Sequence, residues 1–278
     1  MNNELIAILI HTNSNYSDLW KPYCEQMKKF LNINLDVYIL VDDTIPNIYN
    51  ILMNMYPFKD IFIYNNGDKS TASFASRFLI ALNSIPNEYI LITYERYIIY
   101  DFINLDNWNL VQSFIINNKP DSFRLTVDHA VFSLPLEYVY NDIYKIPYNL
   151  QIQTHTCNVI WSKNKLINFF NLYPNTTYAD LEGTNICNFT RGNNYFIWNK
   201  SCLPVGCGAW LESCVYKTHY LIQFGGLWRI KSVKPFLLYL QNTYQLDLTK
   251  RECYNCNCEN GYLHNNPYYQ SLKHICIE

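Results

Sequence analysis

The chain predicts an α/β fold: a mostly parallel sheet with helices on both faces and a small C-terminal appendix. Three observations carry this. Four apolar, largely branched runs, at residues 5–10, 36–41, 60–64 and 89–93, read as strands. Stretches with apolar residues at helical spacing separate them, giving β-α-β-α-β-α-β. The 278 residues, 49% hydrophobic and 16% charged, make a folded chain able to bury a large core.

The first run, Leu5-Ile6-Ala7-Ile8-Leu9-Ile10, ends in a polar loop, His11-Thr12-Asn13-Ser14-Asn15. Ser17 or Asp18 suits a helix N-cap. Leu19, Trp20, Tyr23, Met27, Phe30 and Leu31 then make the stripe of a helix over 19–31. The second strand closes on Asp42-Asp43, and one right-handed crossover joins it to the first. A short helix over 48–55 leads to the third strand, which ends in the turn Asn65-Asn66-Gly67-Asp68. The helix over 73–82 buries Phe74, Phe78, Leu79 and Leu82, with Arg77 at the edge of that face. The fourth strand follows Pro86-Asn87 and runs into Tyr94-Glu95-Arg96-Tyr97. Open α/β sheets bind ligands beyond the carboxyl ends of their strands. The Glu95-Arg96 pair is therefore either a site or an exposed ion pair.

Beyond it come a helix over 108–117 and a strand over 122–126; residues 132–142 are weakly patterned and carry no assignment. A strand is expected at 150–154. Val159-Ile160-Trp161-Ser162 is expected to open a helix that runs over 163–172 and stops at Pro174. A further helix over 177–189, strands at 195–198 and 220–224, and a last helix over 236–244 complete the reading, with Gly225-Gly226 breaking the second of these strands. No repeat or low-complexity linker interrupts the chain. Residues 1–232 are read as one domain and 233–278 as a C-terminal helix with a cysteine-rich tail.

A net charge of −2 offers no footprint for nucleic acid, and no run of Lys and Arg suits an anionic membrane. Met1-Asn2-Asn3-Glu4 is not the basic start of a signal peptide, and the run at 5–10 is far too short to cross a bilayer. A cytoplasmic protein with no transmembrane segment is expected, so the sequons at Asn15, Asn175, Asn188 and Asn199 carry little meaning. The 25 tyrosines fit the codon bias of an AT-rich genome, with sugar-stacking surfaces the functional alternative. Of ten cysteines, Cys24, Cys157 and Cys187 read as small core residues. Cys253-x-x-Cys256-x-Cys258, with His264, His274 and Cys276 downstream, has enough soft ligands for one structural zinc ion; free thiols are the alternative. His129 and His155 flank apolar strands and read as buried, hydrogen-bonded histidines. No G-x-G-x-x-G or P-loop is present, which counts against dinucleotide and kinase chemistry. Ser162 and Ser201 have no triad partners.

Five features occur in order. They are Tyr16-Ser17-Asp18-Leu19-Trp20 after the first strand, Arg77 before the fourth, Glu88-Tyr89-Ile90-Leu91-Ile92 leading to an acid and an aromatic, Gln153 shortly before Ile160-Trp161, and Asp180-Leu181-Glu182 after the next helix. Together they resemble the GT-A nucleotide-sugar glycosyltransferases of bacterial polysaccharide clusters and large DNA viruses. The likeness covers about residues 6–228.

The resemblance implies a Rossmann-type GT-A sheet and transfer of a sugar from a nucleotide diphosphate, a UDP-sugar, to a glycan or glycolipid acceptor with inversion. If the source is viral, the setting is host cytoplasm. His11, Thr12 and Asn13 would hold base and ribose, although His11 also reads as a solvent histidine. Asp42 and Asp43 would face the nucleotide, and Arg77 would sit near the donor. The family's acidic motif, which carries Mn or Mg on the diphosphate, falls on Tyr94-Glu95-Arg96-Tyr97. Glu95 matches an acidic position, and Arg96 stands where the pattern has aspartate. Either Glu95 binds the ion and Arg96 turns away, or Arg96, Arg77 or Arg229 supplies the positive charge. Charge building on the leaving phosphate needs one or the other. The base that takes the acceptor proton falls on Glu182, with Asp180 the near alternative. Gln153, Trp161 and the closing segment with Gly226, Trp228 and Arg229 fill out the donor side. Two other functions stay open: a sugar-nucleotide or glycan reader without catalysis, and a nucleotidyltransferase. The lack of a glycine-rich basic loop after the first strand speaks against the latter.

Overall fold

The computed structural model describes residues 5–68, 73–128, 136–147, 158–176, 192–199, 204–205, 210–211, 213–220, 222–223, 227–228 and 230–251. In chain order the first elements are β1 (Ile6–His11), α1 (Ser17–Phe30), β2 (Asp36–Asp42), α2 (Ile48–Met55), β3 (Asp60–Tyr64), α3 (Phe74–Leu82) and β4 (Tyr89–Tyr94). Then come β5 (Tyr97–Ile99), α4 (Leu105–Asn118), β6 (Ser122–Arg124), β7 (Val127–Asp128), β8 (Glu137–Tyr140), β9 (Ile143–Ile146), β10 (Val159–Ser162), α5 (Lys163–Leu172) and β11 (Asn194–Ile197). Short strands follow, β12 (Pro204–Val205), β13 (Trp210–Leu211), β14 (Thr218–Tyr220), β15 (Ile222–Gln223) and β16 (Leu227–Trp228), before the last helix, α6 (Ile230–Tyr244).

Nine strands form the main sheet in the order β3-β2-β1-β4-β10-β6-β11-β9-β8. The first four are parallel, and β6, β11 and β8 point the same way; β10 and β9 oppose them. Strand alternation splits the core into two layers. Ile6, Ile8 and Ile10 face Trp20 and Tyr23 of α1, Leu52 of α2, Trp108 and Phe114 of α4 and Leu237 and Leu240 of α6. Ala7 and Leu9 face Phe74 and Phe78 of α3 and Phe169 and Phe170 of α5. Helices thus cover both faces, as the sequence predicts.

The topology places a switch point. From β1 the chain steps outward through α1 and α2 to β3, all on one face. α3 then crosses the other face and brings the chain back to β4, on the far side of β1. The strand order therefore reverses between β1 and β4, and such switch points are where open α/β sheets keep their ligand clefts.

Several elements differ from expectation. Val159–Ser162 does not open a helix; it is the strand β10, antiparallel between β4 and β6. A short branched run buried on both sides looks alike as strand or helix start by periodicity, and here the central sheet position decides it. Residues 137–146 form a hairpin, β8 with β9. Its pattern is weak because β8 lies at the sheet edge, with Tyr138 61% exposed. α4 begins at Leu105 because the Asn104 side chain accepts the Asn107 N–H and caps it. α1 begins at Ser17 with no side-chain cap from Tyr16. α6 starts at Ile230, earlier than expected, and leaves helical geometry at Val233, ahead of Pro235, which lacks the N–H that a continuous helix needs. The strand expected at 150–154 and the helix expected over 177–189 lie outside the described residues.

Candidate functional site

β1 and β4 pair in register with His11 opposite Tyr94, and β2 ends at Asp42 opposite Tyr64. Because these strands are parallel, their carboxyl ends share one edge. Alternation sends His11 and Tyr94 toward α3, and Thr12 and Glu95 toward α1.

On the α3 side His11 is 8% exposed. Rings surround it, with centroids at 5.2 Å (Phe78), 5.4 Å (Phe74), 5.7 Å (Tyr94) and 6.3 Å (Tyr64). Two guanidinium groups flank this cage: Arg77, from α3, lies 4.8 Å over the Tyr64 ring, and Arg96 lies 4.8 Å over the Tyr94 ring. α3 is fixed at its start by Ser73, whose hydroxyl accepts the Ser76 N–H at 3.0 Å. Burial, then the charges of Arg77 and Arg96, push the His11 pKa down to about 3, with Asp42 pulling weakly the other way. The imidazole is therefore neutral, and its Nε2 has no hydrogen-bond partner among the described residues. Tyr97 opens β5 with its ring 6.4 Å from that of Tyr94.

On the α1 side Thr12 is fixed twice: its N–H donates to Leu40 O at 2.9 Å, and its Oγ1 accepts from Trp20 Nε1 at 2.8 Å. Asn13 caps the short 3-10 turn Ser14–Tyr16 by accepting the Asn15 N–H at 3.0 Å. Glu95 is 3% exposed, and its Oε2 has no partner among the described residues. Burial raises its carboxyl to about 7, against the pull of Arg96, a backbone N–H, Thr12 and Arg251. Asp42, 2% exposed, behaves differently: it accepts the Ser14 N–H at 2.7 Å and the Thr44 N–H at 2.9 Å. Burial alone raises that carboxyl, but the bonds from Thr44 and Ser14 outweigh it and hold the pKa below the ordinary value. Asp43 accepts the Asn66 N–H at 3.0 Å on an exposed turn.

His11, Thr12, Asn13, Asp42, Asp43, Arg77, Glu95, Arg96 and Tyr97 thus gather at one edge. Trp161 is not with them. It lies in the core layer under α3 and α5, opposite Ile90 and so four residues back from the end of β4. Trp228 has its backbone in β16, paired with β15. Gln153, Asp180, Glu182, Gly226, Arg229 and the cysteines Cys253, Cys256, Cys258 and Cys276 lie outside the described residues.

One residue at this edge escapes sequence reasoning. Arg251, in the assumed appendix, donates through Nη2 to Asp18 Oδ1 at 2.6 Å and to Asn15 O at 2.8 Å, and stacks 4.8 Å over the Tyr16 ring. Asp18 gives no signal of it, because an acid in the first turn of a helix, with Lys21 three residues on, needs no distant partner.

The described residues do not by themselves make a divalent-ion site. Among the described residues no three His, Cys, Asp or Glu side chains come together as a metal site. Both Asp42 oxygens are bonded, and Glu95 has Arg96 and Arg251 as electrostatic neighbours.

No protein-family model matches the chain, and no curated protein matches it. Solved structures do resemble it in part. Staphylococcus aureus TarS 1–349 in complex with UDP-GlcNAc is 13% identical, with a TM-score of 0.47, over 70% of this chain and 56% of that one. UDP-glucose pyrophosphorylase complexed with UDP-glucose is 8% identical, with a TM-score of 0.47, over 87% of this chain and 99% of that one. The bifunctional IspDF of Campylobacter jejuni is 9% identical, with a TM-score of 0.41, over 70% and 50%. The chain spans little more than half the length of the TarS 1–349 structures.

Proposed function

We propose that the β1–β4 switch point binds the diphosphate of a nucleotide-sugar donor, and that the chain is a glycosyltransferase acting on a glycan or glycolipid hydroxyl with inversion. One observation carries this reading: at the switch point a buried, neutral histidine, its Nε2 without a partner among the described residues, lies between two guanidinium groups. Such a place suits a ligand that is both aromatic and anionic.

In this reading the base and ribose lie along Thr12, Asn13 and Asp43, and the diphosphate faces Arg77 and Arg96. The acceptor hydroxyl attacks the anomeric carbon and gives its proton to Glu182, with Asp180 the alternative. The bond from the sugar to the β-phosphate oxygen breaks, and the nucleoside diphosphate leaves with the electron pair. Its growing charge is met by Arg77 and Arg96, fixed cations in a partly dry site. In this reading the guanidinium groups, and not a metal ion, meet that charge.

A thermal-shift panel of UDP, GDP, CMP and TDP, each with Mn²⁺ and with chelator, tests the reading. A ligand at 100 times its dissociation constant adds about 2.7 kcal/mol. A rise with UDP that survives chelator is expected. A rise that needs Mn²⁺ puts an ion on Glu95 and overturns the arginine assignment. No rise with any nucleotide overturns the donor reading. Loss of UDP-sugar turnover in Glu182→Gln is expected if that carboxylate is the base; UDP binding with no turnover in the unaltered protein makes the chain a reader instead.

A further inference from the structure

We propose that Arg251 is a positioning residue of this site: the C-terminal segment returns over the loop after β1 and holds it in the shape the nucleotide occupies. This rests on the donor reading above and adds a residue to it from the far end of the chain.

The contact is long-range. Arg251 stands 233 residues from Asp18 and 236 from Asn15. It is also built. α6 packs on α1 through Val233, Leu237 and Leu240, and Gln26 Nε2 donates to the hydroxyls of Tyr239 at 3.1 Å and Tyr244 at 2.8 Å. Leu246 continues into the same core. Asp247 then caps the 3-10 turn Leu248–Lys250, accepting the Thr249 N–H at 2.9 Å, and the next residue is Arg251. Each step fixes the direction of the segment before its guanidinium reaches the loop.

At the loop the arginine does three things at once. It pairs with Asp18 at the first turn of α1, bonds the Asn15 carbonyl, and covers the Tyr16 ring. The two charged side chains are 11% and 10% exposed, so this is a charge-assisted bond largely out of water. Lys250 approaches the same carboxylate at 3.4 Å but from solvent, where such pairs contribute little.

Among the described residues the start of the loop is fastened elsewhere, by Thr12 to Leu40 of β2 and Trp20 of α1 and by Ser14 to Asp42 of β2. Without Arg251, Asn15 and Tyr16 keep, among the described residues, the local turn and the packing of the Tyr16 ring on the core. Arg251 also acts electrostatically on Glu95, whose Oε2 is buried and open.

Calorimetric titration of UDP into the full chain tests this, with Arg251→Ala, Arg251→Lys, Asp18→Asn and Lys250→Ala. Affinity is expected to fall roughly tenfold or more in Arg251→Ala and Asp18→Asn, a change of about 1.4 kcal/mol or more. Lysine keeps the charge but not the planar fork or the stack, so Arg251→Lys recovers only part. Lys250→Ala binds as the unaltered protein does. A purely structural arginine gives a different result: a lower melting temperature with UDP affinity unchanged in the folded protein, and that overturns the proposal alone. No UDP binding by the unaltered protein overturns the donor reading and this inference with it. If Arg251→Ala does not fold, Asp18→Asn and Arg251→Lys decide, and unchanged affinity in both overturns the proposal.

Discussion

Asp42 closes β2 and Glu95 follows β4, on the same edge of the sheet, and both carboxyls are almost wholly buried. At the end of β2, two backbone N–H groups converge on the carboxylate, and its pKa falls below the ordinary value despite burial. At the end of β4, one oxygen has no partner among the described residues and burial prevails, lifting the carboxyl to about 7. Equal surface exposure therefore says little about role; Glu95 lies deeper in the fold than Asp42, and depth together with hydrogen bonding decides. The β2 carboxylate is a brace that fixes the loops at Ser14 and Thr44. Above its raised pKa the β4 carboxylate is held at a cost in stability.

The sharpest way to break the contrast is Glu95→Gln. The native carboxyl keeps its proton up to about 7, above the ordinary 4.5. The native state therefore binds more protons between those values, and its stability is full below about 4.5 and declines as pH rises through 7. At pH 8 the glutamine variant is expected to be about 3 kcal/mol more stable than the unaltered protein, while at pH 4 the two converge. Chemical denaturation at both pH values checks it. Asp42→Asn should move the other way: losing the charge that accepts from Ser14 and Thr44 costs about 2 kcal/mol at pH 7, measured by the same denaturation.

His11, between the two, sharpens the comparison with pH. Its pKa lies near 3 in the fold against an ordinary 6.5. The unfolded chain therefore takes up a proton that the native state refuses, and stability is lost as pH falls from 6.5 toward 3. The expected loss is about 2 kcal/mol by pH 5, and His11→Phe should flatten that slope. The smallest effect belongs to Lys250→Ala, expected within about 0.5 kcal/mol because the lysine reaches Asp18 from solvent, at 3.4 Å. A larger change there means that Lys250 shares the Arg251 task.

The same edge explains what could be read from the sequence. β1, β2, β3 and β4 have their places in the parallel half and appear as near-continuous apolar runs. The polar residues that end those runs, His11, Asp42, Glu95 and Arg96, are legible in the sequence for the same reason. Beyond β4 the sheet turns mixed, and periodicity fails. β10 is four residues long and passes for a helix start, and β8 is a half-wetted edge without clean alternation. Arg251 was illegible for another reason: its partner Asp18 lies across nearly the whole chain, and nothing local marks a contact that only the packing of α6 on α1 creates. The assignment of Glu182 as base still rests on the family resemblance.

The central claim is that fixed arginines at the β1–β4 switch point hold a nucleoside diphosphate. Its most direct test is a calorimetric titration of UDP, with chelator present, into the unaltered protein and into Arg96→Ala. The account predicts binding by the unaltered protein and a loss of roughly tenfold or more in the variant. Equal affinity in the two proteins, or no binding until Mn²⁺ is restored, contradicts it.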